Sequence, residues 1–313
     1  LRVLYSTMMS VRRTLIEGAG YILSQVCLIG IRYSCVRRQF KNTTGSKEET
    51  KLIDYQTQQM KLFPLVSMAK VQHTCSRYIN ARHDKMLEEI EKENFDSLDE
   101  LHHLTSGFKS LHSQQTYEGL LQVRQALGGA GYSAWSGIPQ MIDNFSPQVT
   151  FEGDNTVMLI QSTRYLKKLY KKARKGTVIS SPVFEYHNHV DANLQKVCSA
   201  KTSEDLCSAS LVLEALEVNA SHHIKSTFTQ IEESKAPAKQ AENDLFALGL
   251  LKMALAHLYA VASKMAELEH LASELKCANA RIHADNIRIL YGLSQLQKDP
   301  AGLYECGYFA PGS

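Results

Sequence analysis

The chain has no paired cysteines. Its seven, Cys27, Cys35, Cys75, Cys198, Cys207, Cys277 and Cys306, are scattered singly, odd in number and without a CxxC spacing. That argues against a disulfide framework and for a reducing compartment. An excess of one charge is lacking as well. The 35 basic and 32 acidic residues leave a net +3, too balanced for a dedicated nucleic-acid binder. The basic run at 167–175 reads as the solvated end of a helix. No apolar run approaches the roughly 20 residues needed to cross a bilayer. The stretch 21–31 is too short, and 246–262 is interrupted by Lys252 and His257. Neither a membrane span nor a signal peptide is therefore expected. His102, His103 and His112 lack carboxylates at ligand spacing, and His187 and His189 stand without further ligands, so no metal site is expected. Strand signals are few, and no internal repeat or low-complexity tract is evident.

What is present is apolar residues at helical spacing, within a chain that is 44% hydrophobic and 313 residues long, enough for a substantial core. Leu4, Met8, Val11, Leu15, Ala19, Ile22, Leu23 and Val26 form a stripe that predicts a helix continuing to about Phe40. A polar loop over 42–50 follows. A second long helix is predicted over 51–93, with a kink at Pro64. Ser97-Leu98-Asp99-Glu100 reads as a capping box opening a third helix to about Leu127. Gly128-Gly129-Ala130-Gly131-Tyr132 ends it, and an irregular segment with Trp135 and Pro139 leads to Pro147. A further helix begins after Glu152 and stops in lysines, Arg174 and Gly176. Residues 177–201 look like a linker. Helices over 204–233, 238–277 and 278–298 then form a second unit. The expected fold is all-α, with helical units at 1–176 and 202–313, the second incomplete at its C-terminus. The chain opens at Leu1 already in helical pattern and is expected to be part of a longer protein.

Four strings can carry chemistry. Gln148-Val149-Thr150-Phe151-Glu152-Gly153-Asp154-Asn155-Thr156-Val157 places one carboxylate in a turn before a helix that Asp154 or Asn155 can cap. Glu152 is either a general base held rigidly or a capping or surface glutamate. Arg37-Arg38-Gln39-Phe40 offers guanidinium groups for phosphate and a ring for stacking, or a charged helix end. The amide-rich Asp54-Tyr55-Gln56-Thr57-Gln58-Gln59 can bond a cofactor or face water. Gly128-Gly129-x-Gly131 lacks the GxGxxG spacing and follows a helix, so it is no Rossmann fingerprint. It is a helix C-cap or a close approach of backbone to ligand.

In this order the strings resemble the peroxisomal acyl-CoA oxidases, relatives of the acyl-CoA dehydrogenases. The resemblance lies in Ile31-Arg32-Tyr33-Ser34-Cys35-Val36-Arg37-Arg38-Gln39-Phe40, Asp54 to Pro64, Gly128 to Ser133, and Phe151 to Val157, and continues more weakly to about Lys298. It implies FAD as cofactor, an acyl-CoA substrate, a homodimer and a peroxisomal location. By resemblance Glu152 takes the α-proton of the thioester, its own amide donating to the thioester oxygen. Hydride passes to the flavin, and electrons then pass to oxygen, giving hydrogen peroxide. Arg37 is expected at the FAD pyrophosphate, Phe40 near the adenine, and Gln56 at the adenosine. Gln125, Gly128 and Gly129 approach the same cofactor, with Asp154 and Asn155 by the flavin nucleotide, the contacts crossing a dimer interface. Lys41 and Leu127 depart from the family pattern without removing catalytic groups. The family's N-terminal helical and β-barrel domains have no counterpart here, so the chain alone is expected to hold FAD poorly. Pro311-Gly312-Ser313 is no peroxisomal address. The rivals are a dehydrogenase that passes electrons to a flavoprotein, and a non-catalytic helical module that has kept the fold.

Overall fold

The computed structural model describes residues 2–41, 45, 47–273 and 275–309, with side chains from Thr7 onward. The side chain of Leu4, part of the 42–50 loop and the last four residues lie outside the described residues. The structure is 78% helical, with no strand among the described residues. The helices are α1 (Arg2–Val36), α2 (Gln56–Glu91), α3 (Leu98–Ala126), the short α4 (Gly129–Tyr132), α5 (Ile138–Phe145), α6 (Asn155–Arg174) and α7 (Val190–Asn193). They continue with α8 (Ala209–Glu233), α9 (Ala238–Gln240), α10 (Ala247–Ala272), α11 (Ala278–Leu296) and α12 (Ala301–Glu305).

The first helix stops at Val36, short of the expected Phe40. Arg38 leaves it to form an isolated bridge with Lys51, and Phe40 adopts a left-handed φ of 66°. The second half of the expected stripe is buried, at Ala19, Leu23 and Val26, but its first half is rotated: Met9, Arg12 and Ile16 are buried there, whereas Met8 and Val11 are exposed. That is the next residue around the helix, a turn of about 100°. Residues 7–36 are long and apolar enough to cross a membrane by length and composition, but this face is packed into the protein core. α2 runs through Pro64, whose carbonyl accepts the Ser67 hydroxyl at 2.8 Å. The capping box does not form: Ser97 makes no side-chain cap, and Glu100 pairs instead with Arg82 at 3.0 Å. The stop of α6 is as expected. Gly176 takes φ 77°, and Thr177 N–H donates to the Lys172 carbonyl at 3.1 Å, closing the last turn.

The segment read as a linker is packed. It forms a 3₁₀ helix (Pro182–His189) and then α7, with Val183, Phe184, Tyr186 and His187 buried. The apolar core has two clusters. The larger joins α1, α2 and α3 through residues such as Leu23, Leu62, Ile79, Phe108 and Leu120, and includes Leu258, Val261 and Met265 of α10 and Tyr291 of α11. The smaller gathers Val212, Leu216, Ile224 and Phe228 of α8 with Leu250 and Met253 of α10 and Leu166 and Tyr170 of α6. Each fully buried side chain of this kind contributes about 1.5–3 kcal/mol. Helices α6 and α10 thus face both clusters. The α3–α10 approach is close at Gly107, where a Cβ would lie 2.8 Å from Leu258.

Candidate active site

Glu152 sits in the turn that feeds α6. Two successive residues there are left-handed, Glu152 at φ 59° and Gly153 at φ 113°. A side chain at 153 is impossible without rearrangement, because its Cβ would fall 2.3 Å from Met158 Sδ. A non-glycine residue such as Glu152 pays about 1–2 kcal/mol to adopt this conformation, so something must hold it. Buried cations do. Arg12 of α1 donates from Nε to the Glu152 carbonyl at 3.3 Å and from a terminal nitrogen to Ser106 Oγ at 3.2 Å. Lys109 of α3 donates from Nζ to the Gly153 carbonyl at 2.7 Å and to Asn155 Oδ1 at 2.9 Å. Ser110 Oγ donates to the Asn155 carbonyl at 2.8 Å, and Ser113 bonds the Asn155 side chain.

Asp154 is the cap: its carboxylate accepts the amides of Thr156 at 2.9 Å and Val157 at 3.4 Å. Asn155, expected beside a bound nucleotide, is buried, its amide engaged by Lys109 and Ser113. The turn's carbonyls are drawn inward, and Glu152 is left half-exposed. Among the described residues, its carboxylate and its amide N–H have no hydrogen-bond partner. Burial pushes the Lys109 ammonium down to about 8, Arg12 pushes the same way, and Asp154 and Glu152 oppose them.

The other expected residues gather at one end of the bundle. Gln58 fixes that end: from a buried position it donates to Ser34 Oγ and to the Ala126 carbonyl, both at 3.0 Å. It thereby joins the end of α1, the start of α2 and the end of α3. Arg37, Phe40, Gln56, Gln125, Gly128 and Gly129 all stand exposed around this junction. Gly128 has φ 57°, and no atom lies within 4 Å of where its Cβ would be, so the backbone is open there. Trp135 is fully exposed nearby in sequence. This cluster and the Glu152 turn are separate within one chain. Arg12, on the turn, and Arg37 are 25 residues apart along α1, about 37 Å at 1.5 Å per residue. Among the described residues, no group of His, Cys, Asp and Glu could hold a metal ion.

Arg12, Ser106, Lys109 and Ser113 have no counterpart in the sequence expectations. The only signal for Arg12 is its position among Met9, Ile16 and Ala19, spaced by three and four residues. Lys109 has no such signal: Phe108 and Leu111 stand one and two positions away, off its face of the helix.

The family model described as "Acyl-CoA oxidase, C-alpha1 domain" matches residues 5–167, and that described as "Acyl-CoA oxidase" matches residues 208–313. The chain belongs to the acyl-CoA oxidase family. All four resembling strings and both site clusters fall within the first of these matches. The chain is 34% identical to mouse peroxisomal acyl-coenzyme A oxidase 1 over 304 residues, which is 94% of this chain and 45% of that protein. Arabidopsis thaliana acyl-CoA oxidase 1 superposes with a TM-score of 0.90 at 28% identity, covering 99% of this chain and 46% of that one. Caenorhabditis elegans acyl-CoA oxidase-2, solved bound with FAD, ascaroside-CoA and ATP, superposes with a TM-score of 0.85 at 26% identity, covering 97% and 45%. The chain thus spans about half the length of the acyl-CoA oxidases it matches, and its helices are those of their C-terminal region.

Proposed function

We propose that this chain is the C-terminal helical part of a flavin-dependent acyl-CoA oxidase, with Glu152 as its base. The observation that carries the reading is the Glu152 turn. A strained conformation is clamped by buried cations, while the carboxylate itself has no partner among the described residues. A surface or capping glutamate needs no such clamp, and the cap is Asp154.

The bundle-end cluster fits FAD. An exposed guanidinium at Arg37 suits a pyrophosphate, and the Phe40 ring suits an adenine face. Gln56 and Gln125 supply amides, and Gly128 leaves its backbone open to close approach. A bound flavin would supply the acceptor for the substrate's β-hydride and the route of its electrons to oxygen, with hydrogen peroxide as product. Glu152 takes the α-proton of the acyl-CoA thioester onto its carboxylate. Closure of the site over substrate removes water from that carboxylate and strengthens it as a base. The unpartnered Glu152 N–H donates to the thioester oxygen as charge develops there.

The distance between the clusters along α1 fits a homodimer in which each flavin meets the Glu152 turn of one copy and the Arg37 cluster of the other. The FAD-bound relative supports the cofactor, and the names of the curated relatives support a peroxisomal location.

The test is peroxide production by the full-length protein from short, medium and long acyl-CoA substrates, with oxygen as sole acceptor. Activity is expected, and Glu152→Gln is expected to lower kcat by about 100-fold or more. Turnover only with an electron-transfer flavoprotein would establish the dehydrogenase instead. A Glu152→Gln protein as active as the wild type would remove the base.

A further inference from the structure

Buried lysines are rare unless paired, and Lys109 is fully buried with no carboxylate in hydrogen-bond contact among the described residues. Its ammonium is engaged by the Gly153 carbonyl at 2.7 Å and by Asn155 Oδ1 at 2.9 Å, both on the turn that carries Glu152. The Gly153 carbonyl closes the peptide one residue after the base. Drawing it inward fixes the plane of the Gly153–Asp154 peptide, and so the left-handed course of the turn from which Glu152 departs. Arg12 does the same to the preceding carbonyl from another helix. The charged groups facing Lys109 are Arg12 on α1 and Glu152 and Asp154 on the turn.

We propose that Lys109 is a positioning residue for Glu152, acting through the Gly153 carbonyl and Asn155 to hold the turn in its left-handed form. This rests on Glu152 being the base, but the effect on the turn does not. A neutral side chain of the same length keeps the volume, leaves the Gly153 carbonyl without its donor and leaves Asn155 Oδ1 to Ser113 alone. A guanidinium keeps the charge and donors. Misplacing a base by an ångström lowers catalysis without weakening substrate binding, so the effect belongs in kcat and not in KM.

The experiment pairs Lys109→Met with Lys109→Arg, using two measurements. The first is amide hydrogen exchange on the full-length protein. In Lys109→Met, amides over 150–157 are expected to exchange at least tenfold faster, while those of α2 and α8 are unchanged. In Lys109→Arg they are expected to stay within threefold of wild type. The second is steady-state kinetics: kcat falls at least tenfold in Lys109→Met with KM within threefold, and Lys109→Arg restores most of it. Should Lys109→Met not fold, Lys109→Gln, which reaches at most one of the two oxygens, carries the same comparison at a smaller expected amplitude. Unchanged exchange over 150–157 in the neutral variant overturns the proposal, as does a Lys109→Arg protein as impaired as Lys109→Met. If the turn loosens but Glu152→Gln has no effect on activity, Lys109 still holds the turn and the assignment of the base is what fails.

Discussion

His103 and His257 share one hydrogen bond, Nε2 to Nε2 at 3.0 Å, in the interior between α3 and α10. The neighbours fix both tautomers. His103 Nδ1 lies 3.0 Å from the Ser162 carbonyl, which can only accept, so Nδ1 carries the proton and Nε2 of the neutral ring accepts. His257 therefore donates from Nε2, and its Nδ1 accepts from the Tyr186 hydroxyl at 2.5 Å. His187 packs against Tyr186 and His257 with ring centroids 4.5 and 5.4 Å away, and neither of its nitrogens has a partner among the described residues.

This cluster makes the fold acid-sensitive. Burial pushes His103 down to about 4, His187 to about 3, and His257 well below the usual imidazole range. Folded, all three are neutral; unfolded, they protonate near pH 6.5. The unfolded chain binds more protons below that pH, so stability is lost as pH falls from about 6.5 toward 4. Each histidine contributes about 1.4 kcal/mol per pH unit in that window. Urea midpoints measured from pH 7 to 4.5 should fall accordingly. His187→Phe keeps the ring contacts and loses no hydrogen bond, and is expected to flatten the slope; an unaltered slope would remove His187 from the account.

Lys109 acts at the other end of the scale. Its folded value near 8 lies below the lysine range, so between about 8 and 10.4 the unfolded chain binds the extra proton. Its contribution to stability therefore rises with pH across that window. Thermal melts of wild type and Lys109→Met at pH 7.5 and 9.5 check the sign: the wild type should gain on the variant as pH rises.

Gly153→Ala places a Cβ in a backbone conformation of φ 113° and against Met158 Sδ. The strain is about 1–3 kcal/mol, relieved by moving the turn. Activity is expected to drop on the order of 100-fold, the cost of misplacing a reacting group by about 1 Å. Gly153→Ala with Met158→Ala relieves the contact but not the φ strain, and should recover only part of the loss. Full recovery would mean that the contact alone mattered.

The separation of Arg37 from the Glu152 turn gives a complementation test. Arg37→Ala and Glu152→Gln are each expected to be inactive as homodimers. A mixed dimer has one site with both native groups and one with neither. Co-expression in equal amounts makes half the dimers mixed, so about a quarter of wild-type activity should return. If both groups served the flavin from the same subunit, no activity would return.

Much of this was legible in the sequence because helix periodicity and cap chemistry are local. The Asp154 cap, the Gly176 stop and the place of Glu152 before α6 needed only neighbouring residues. The clamp needed contacts between residues far apart. Lys109 meets Gly153 across 44 positions, and Arg12 meets Glu152 across 140. Both read as polar positions because a charge on a helix normally faces water. The same bias rotated the first part of the expected stripe of α1, since counting Arg12 as outward places Met8 and Val11 inward; from Ala19 on the stripe is buried as read. The segment 177–201 read as a linker because its turn residues hide a short apolar run, Val183, Phe184 and Tyr186, that covers the histidine cluster.

Helices α6 and α10, with side chains in both cores, leave no seam at which half the chain could melt alone. Cutting after residue 201 would take Leu258, Val261, Met265 and Tyr291 out of the larger core and open the slot at Gly107 to water. Calorimetry on the intact chain should then give one endotherm, with the enthalpy of a single cooperative body.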